Sequence, residues 1–159
     1  MPATNLKTIY FSMLIALLLQ LLPWAGIGLL LRPDFLLLTL IYWLLRAPHL
    51  CNIGTAWIVG LLMDVATGGL FGQQALAYTI TAYFALSYQR RLTLFKPWQQ
   101  ASYVFALLLL TQVTIWVLKL FGGGESPDWS YFLPSISGIL LWLLAIGTRL
   151  GIDSHAQQN

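Results

Sequence analysis

Long apolar runs fill this chain, and a short cluster of proline, glycine or charge closes each one. A helix needs about 20 apolar residues to cross a bilayer, within a range of roughly 17–25. Measured against that length, the pattern predicts six helices. The first covers 6–22 and ends or kinks at Pro23, which lacks the backbone donor a helix interior needs. Residues 24–31 are apolar but too few to span, and read as a membrane-surface segment with Trp24 at headgroup level. Arg32-Pro33-Asp34 opens a second, short helix over 33–45. Proline suits the first helical position, and an acid suits the positive end of the helix dipole. The third helix runs over 51–66 and breaks at Thr67-Gly68-Gly69; the fourth runs over 72–88 and ends at Gln89-Arg90-Arg91. The fifth starts at Pro97-Trp98 and reaches 121, residues 122–128 form a flexible loop, and the sixth covers 131–150 before a polar tail from Asp153. Residues 1–159 thus read as one integral membrane domain, all-α and polytopic.

Composition agrees with that picture. The chain is 58% hydrophobic and 8% charged, and its mean hydropathy is +0.76. A soluble domain carries about 25% charged residues, so this chain has too few polar groups to cover a water-facing surface. Lys7 followed by an apolar run resembles a signal peptide, but no clean small-x-small site follows, so an uncleaved first helix is expected. The net charge of +3 is spread singly or in a small cluster between apolar runs, which is the placement of orientation signals and not of a nucleic-acid surface.

Charge placement also orders the helices. With the N-terminus cytoplasmic, six of the 8 basic residues (Lys7, Arg46, Arg90, Arg91, Lys96, Arg149) gather on the cytoplasmic side. Arg32 and Lys119 fall on the far side with Asp34, Glu125 and Asp128, and Asp64 lies close to it. Positive-inside bias therefore predicts six spans with both termini inside. Dropping either short helix would place the Arg90-Arg91-Lys96 cluster outside. That cluster reads as a topology signal or, alternatively, as a contact for anionic headgroups or an acidic partner.

The stretch GLLMDVATGG (60–69) holds the one acid with long apolar runs on both sides, Asp64. Gly60, Asp64, Gly68 and Gly72 are spaced by four and would share one face if the helix continued. Glycines at that spacing let helices approach closely. Asp64 is either a structural polar group at the helix end or, as ionisable residues in spans often are, a functional one. A proton relay lacks a second acid within any span.

Other chemistry is sparse. His49 sits in a short loop, His155 in the tail, and Cys51 is the single cysteine, which together make neither a disulfide nor a metal site. Ser12, Ser87, Ser102, Ser135 and Ser137 lie in spans, none within a GxSxG motif. Trp24, Trp43, Trp98, Trp129 and Tyr131 fall near span ends and read as interfacial anchors. The expectation is a non-enzymatic protein with no metal and no cofactor.

Three stretches carry a resemblance to a known family: LRPDFLLLTLIYWLLRAPH (31–49), NIGTAWIVGLLMDVATGGLFGQQAL (52–76) and KPWQQA (96–101). With the Arg32-Pro33 start and the spacing of Gly54, Gly60, Asp64, Gly68 and Gly72, the chain resembles the MreD family of rod shape-determining proteins. The resemblance implies a multi-pass protein of the bacterial cytoplasmic (inner) membrane and of the cell-elongation machinery. It implies a non-catalytic scaffold for lateral peptidoglycan synthesis. The implied partners are an MreC-like protein, the RodA glycosyltransferase with its penicillin-binding transpeptidase, MreB filaments and membrane lipid, with no nucleic acid. The family is similar in helix arrangement to substrate-binding subunits of energy-coupling-factor transporters. The alternative expectation is thus a small-molecule-binding transporter subunit, with Arg32, Asp34, Asp64, Gln73 and Gln74 as pocket candidates.

Overall fold

The computed structural model describes residues 5–92, 94–123, 125 and 128–156, and it is all-helical over them. Seven α-helices follow in order: α1 (Leu6–Leu21), the single-turn α2 (Ile27–Leu30), α3 (Phe35–Arg46), α4 (Ile53–Thr67), α5 (Gln73–Leu92), α6 (Pro97–Phe121) and α7 (Leu133–Ala156). A 3-10 turn, Trp129–Phe132, leads into α7. Within the predicted loop, Gly124, Ser126 and Pro127 lie outside the described residues, as do residues 157–159 of the predicted tail.

Local chemistry sets most helix ends. Asp34 caps α3 by accepting from the Leu37 N–H at 3.1 Å. The predicted start at Pro33 is therefore moved: the acid is the N-cap, and proline precedes it. Asn52 and Thr55 form a reciprocal capping box that starts α4. Pro97 opens α6 at its first position, as expected. α5 and α7 run furthest past their predicted ends. α5 carries Arg90 and Arg91 in its last turn, where cations suit the negative end of the dipole. α7 continues through the predicted tail to Ala156, so His155 lies on a helix; helix formation needs no apolar residues once the span is complete.

Side-chain bonds fix the registers. Ser12 accepts from Trp43 Nε1 at 2.8 Å and Gln20 Oε1 from the Phe35 N–H at 3.1 Å, so α1 and α3 run antiparallel. Tyr78 donates to Asp34 at 2.8 Å and Gln89 to the Leu45 carbonyl at 3.3 Å, so α3 and α5 run parallel. Gln73 donates to the Ile115 carbonyl at 3.0 Å and Tyr103 to the Phe84 carbonyl at 2.8 Å, so α5 and α6 run antiparallel. α5 packs against α3, α4 and α6 and is the central helix. Its inward face carries Ala75, Ala77, Tyr78, Thr81, Ala82 and Ala85, all buried. Small residues let backbones approach where lipid supplies no hydrophobic drive between helices. Leu40, Ile41 and Leu44 of α3, with Val104 of α6, fill the middle of the core.

Among the described residues three segments are long and apolar enough to cross a membrane, namely Ile27–Arg46, Pro97–Phe121 and Trp129–Gly147, and Leu6–Leu21 and Ile53–Thr67 are shorter apolar helices. Large apolar side chains face outward along the bundle, among them Phe11, Leu18, Ile58, Leu62, Val65 and Leu144.

Cys51 is fully buried in the turn between α3 and α4. Burial raises its thiol to about 11, because removing the thiolate from water disfavours the charged form. At pH 8 only about one molecule in 1,000 then carries the reactive thiolate. Native protein should resist maleimide at pH 8 and label only after unfolding. Rapid labelling of folded protein would contradict this burial.

Gly60 marks the tightest seam. A Cβ there would collide with the Ala75 Cα and lie 2.7 Å from the Ala75 nitrogen and 2.8 Å from the Gln74 carbonyl oxygen. Gly60→Leu should cost about 1–3 kcal/mol or more by overpacking, read as a lower melting temperature in detergent. Gly147, with nothing within 4 Å, should accept alanine without loss. Equal melting of both variants would remove the seam.

Candidate functional site

Asp64 is 1% exposed near the end of α4. Its Oδ2 accepts from the Gly72 N–H at 2.9 Å and the Ala75 N–H at 3.3 Å, and its Oδ1 from the Gln74 N–H at 2.8 Å. Gln74 and Ala75 are first-turn donors of α5 and Gly72 directly precedes it, so none of the three has a partner within that helix. The carboxylate thus ties the end of α4 to the start of α5, across the turn that holds Gly68 and Gly72.

The glycine face expected from the spacing of four does not form. α4 ends at Thr67, so Gly68 and Gly72 do not continue its surface. Gly68 takes φ +63° as the left-handed cap of α4, and Gly72 takes φ +91° before α5. Neither would meet anything within 4 Å if it carried a Cβ, and a Cβ on Gly54 would meet only the Asn52 side chain at 3.2 Å. Of the four glycines, Gly60 alone meets a neighbouring helix.

Arg32, Pro33 and Asp34 assemble at the same end of the bundle. Arg32 donates to the Gln20 carbonyl at 3.0 Å, satisfying the last turn of α1. Pro33 is buried between them. Asp34, besides capping α3, receives the Tyr78 hydroxyl on both oxygens, at 3.0 and 2.8 Å. Arg90, Arg91 and Lys96 lie at the opposite end, where α5 passes to α6, beside the exposed Leu94 and Trp98. The structure therefore separates the basic cluster from the Asp34 and Asp64 end.

At the Asp34 end the helices enclose a partly open cavity of about 370 Å³. α1, α3 and α4 contribute Gln20, Asp34 and Thr67, and Arg32 precedes α3. α5 and α6 contribute Gln74, Thr111 and Gln112, and the α7 start contributes Tyr131 and Ser135. Arg32, Asp34 and Gln74 of the expected pocket group reach this wall. Asp64 and Gln73 do not, because both are engaged in holding helices together. Tyr131, expected as an interfacial anchor, stands in the wall with the Lys119 ammonium 5.0 Å from its ring centre.

Sequence reasoning missed Gln20, Tyr78 and Gln112. Each is a polar residue inside an apolar run, and that interruption is the signal that could have found them. Among the described residues no group of three His, Cys, Asp or Glu is placed to hold a metal.

The arrangement defines a class: a helical bundle with membrane-length helices, whose interior acids hold helix ends. Rod shape-determining protein MreD is the description of the family model that matches residues 4–147, and the chain belongs to that family. It is also similar to the rod shape-determining protein MreD of Haemophilus influenzae, with 27% identity over 135 residues, covering 85% of this chain and 83% of the relative. No solved structure matches.

The use of both Asp64 oxygens sharpens one expectation. Asparagine keeps a single acceptor oxygen and would turn an amide N–H toward a backbone donor. Asp64→Asn should therefore cost about 1–3 kcal/mol. Asp64→Leu, which leaves all three donors bare, should cost more. Melting in detergent should rank Asp above Asn above Leu. An Asn variant as stable as wild type would show that one oxygen suffices.

Proposed function

We propose that this chain is a non-catalytic membrane scaffold of the bacterial cell-elongation complex. In this reading it spans the cytoplasmic membrane six times with both termini inside. It packs against an MreC-like protein and the RodA glycosyltransferase with its penicillin-binding transpeptidase, and so supports lateral peptidoglycan synthesis. Contact with MreB filaments follows through the same assembly. The carrying observation is family membership over residues 4–147. The engagement of Asp34 and Asp64 in helix capping supports a structural use of the interior acids.

The bundle ends support this topology. Arg46, Arg90, Arg91 and Lys96 share one end with the start of α1, while Arg32 and Lys119 share the other with the cavity. Positive-inside bias makes the first end cytoplasmic. Outward-facing aliphatic and aromatic side chains on α1, α4 and α7 offer surfaces for helix packing or for lipid.

Two measurements test the proposal together. The protein should co-purify stoichiometrically with the MreC-type protein of its own cell, and deletion should turn rods round while the peptidoglycan enzymes stay active in isolation. A cysteine introduced at Gly123 should label from outside the cytoplasm. Rod shape retained after deletion, or labelling at 123 from the cytoplasm alone, would overturn the corresponding part. The transporter-subunit alternative rests on the cavity and predicts co-purification with an ATPase module instead.

A further inference from the structure

The polar cavity has capacity that the fold does not use. Gln74 stands in its wall, and among the described residues Gln74 Oε1 is one of two buried side-chain atoms without a hydrogen-bond partner; the other, Trp142 Nε1, lies outside that wall. A buried acceptor left unpaired is unfavourable, because it has given up water and gained no bond in return. Rotation about the last bond of a glutamine is soft, so this oxygen can be offered to an occupant. In the part of the wall that α6 contributes, Gln112 accepts from Ser135 at 2.7 Å through Oε1, and its Nε2 finds no acceptor among the described residues. The wall therefore presents an acceptor on α5 and a donor on α6.

The charges narrow the chemistry. Arg32 and Asp34 are opposite charges in one wall, and both are already engaged, the first with the Gln20 carbonyl and the second with Tyr78 and the α3 N-terminus. Asp128 is exposed at the rim. No unbalanced interior charge calls for an ionic ligand. Leu37, Met63, Leu108 and Ile115 supply apolar flanks, and about 370 Å³ lies at the small end of the range for ligand sites, about 300–1,000 Å³.

We propose that this cavity binds a neutral small molecule of about monosaccharide size bearing hydroxyl or amide groups, held between Gln74 and Gln112. An amide or a hydroxyl supplies both a donor for Gln74 Oε1 and an acceptor for Gln112 Nε2. Arg32 and Tyr131 line the same wall and carry further N–H and O–H donors. The site does not depend on the scaffold reading, since it uses this chain alone.

The test uses the full chain in lipid nanodiscs, titrated separately with N-acetylglucosamine, glucose and propionamide while melting is followed. At least one probe should raise the melting temperature saturably by several degrees. Gln112→Leu and Gln74→Leu should each weaken the apparent affinity at least tenfold, while Thr114→Val, outside the wall, should leave it unchanged. If Gln74→Leu fails to fold, Gln112→Leu and Ser135→Ala carry the comparison. A stabilisation equal in wild type and both glutamine variants is general solute exclusion and overturns the site. So does the absence of a shift with all three probes up to 100 mM, which leaves a cavity that only holds water.

Discussion

The bond set of Asp64 is the constraint on which the rest of the bundle depends. An acid 1% exposed among apolar helices is costly unless fully satisfied. Here three backbone N–H groups satisfy it, and those same groups would otherwise be unpaired at the start of a buried helix. One carboxylate therefore solves two problems. It also fixes where α5 begins relative to α4, and α5 touches α3, α4 and α6. The seam at Gly60 is the consequence: with the α5 start held to Asp64, Ala75 is drawn against α4 one turn earlier, where only glycine leaves room.

A second acid repeats the device in a different direction. Asp34 caps α3 and receives Tyr78 from α5. Gln20 and Arg32 close the loop by joining the end of α1 to the start of α3. The polar residues at this end form a layer that ties four helix termini together and leaves the cavity between them. The core beneath, built on Leu40, Ile41, Leu44 and Val104, is apolar and specifies little beyond proximity. Direction and register come from the polar layer together with the Ser12–Trp43, Gln89–Leu45 and Tyr103–Phe84 bonds nearer the other end.

Much of this was legible in the sequence, and the part that was not has physical reasons. α6 was read at its observed bounds because Pro97 and the run of glycines after Phe121 are strong punctuation. Asp64 was conspicuous as an acid among apolar residues. Its partners were not, since backbone donors leave no mark in a sequence, and the spacing of four drew Gly68 and Gly72 onto a helix that had already ended. Those two glycines answer to a turn's backbone angles and not to a neighbour's side chain. The cavity was only half visible: Arg32, Asp34 and Gln74 were named, but Gln20 and Gln112 were hidden by long apolar contexts. Their convergence depends on the antiparallel registers that pattern alone does not set.

The small-residue face of α5 has a consequence for how the protein is made. Ala75, Ala77, Thr81, Ala82 and Ala85 give the central helix little apolar surface of its own, so it is the long helix least suited to sit alone among lipid tails. Its polar side chains find partners from both directions along the chain. Tyr78 uses Asp34, already synthesised, but Gln73 needs the Ile115 carbonyl and Thr81 the Thr111 hydroxyl, both on a helix not yet made. When α5 leaves the ribosome, only the earlier half of its environment exists. Its packing is incomplete until α6 arrives, and completion of the bundle centre becomes a cooperative event spanning α4 through α6.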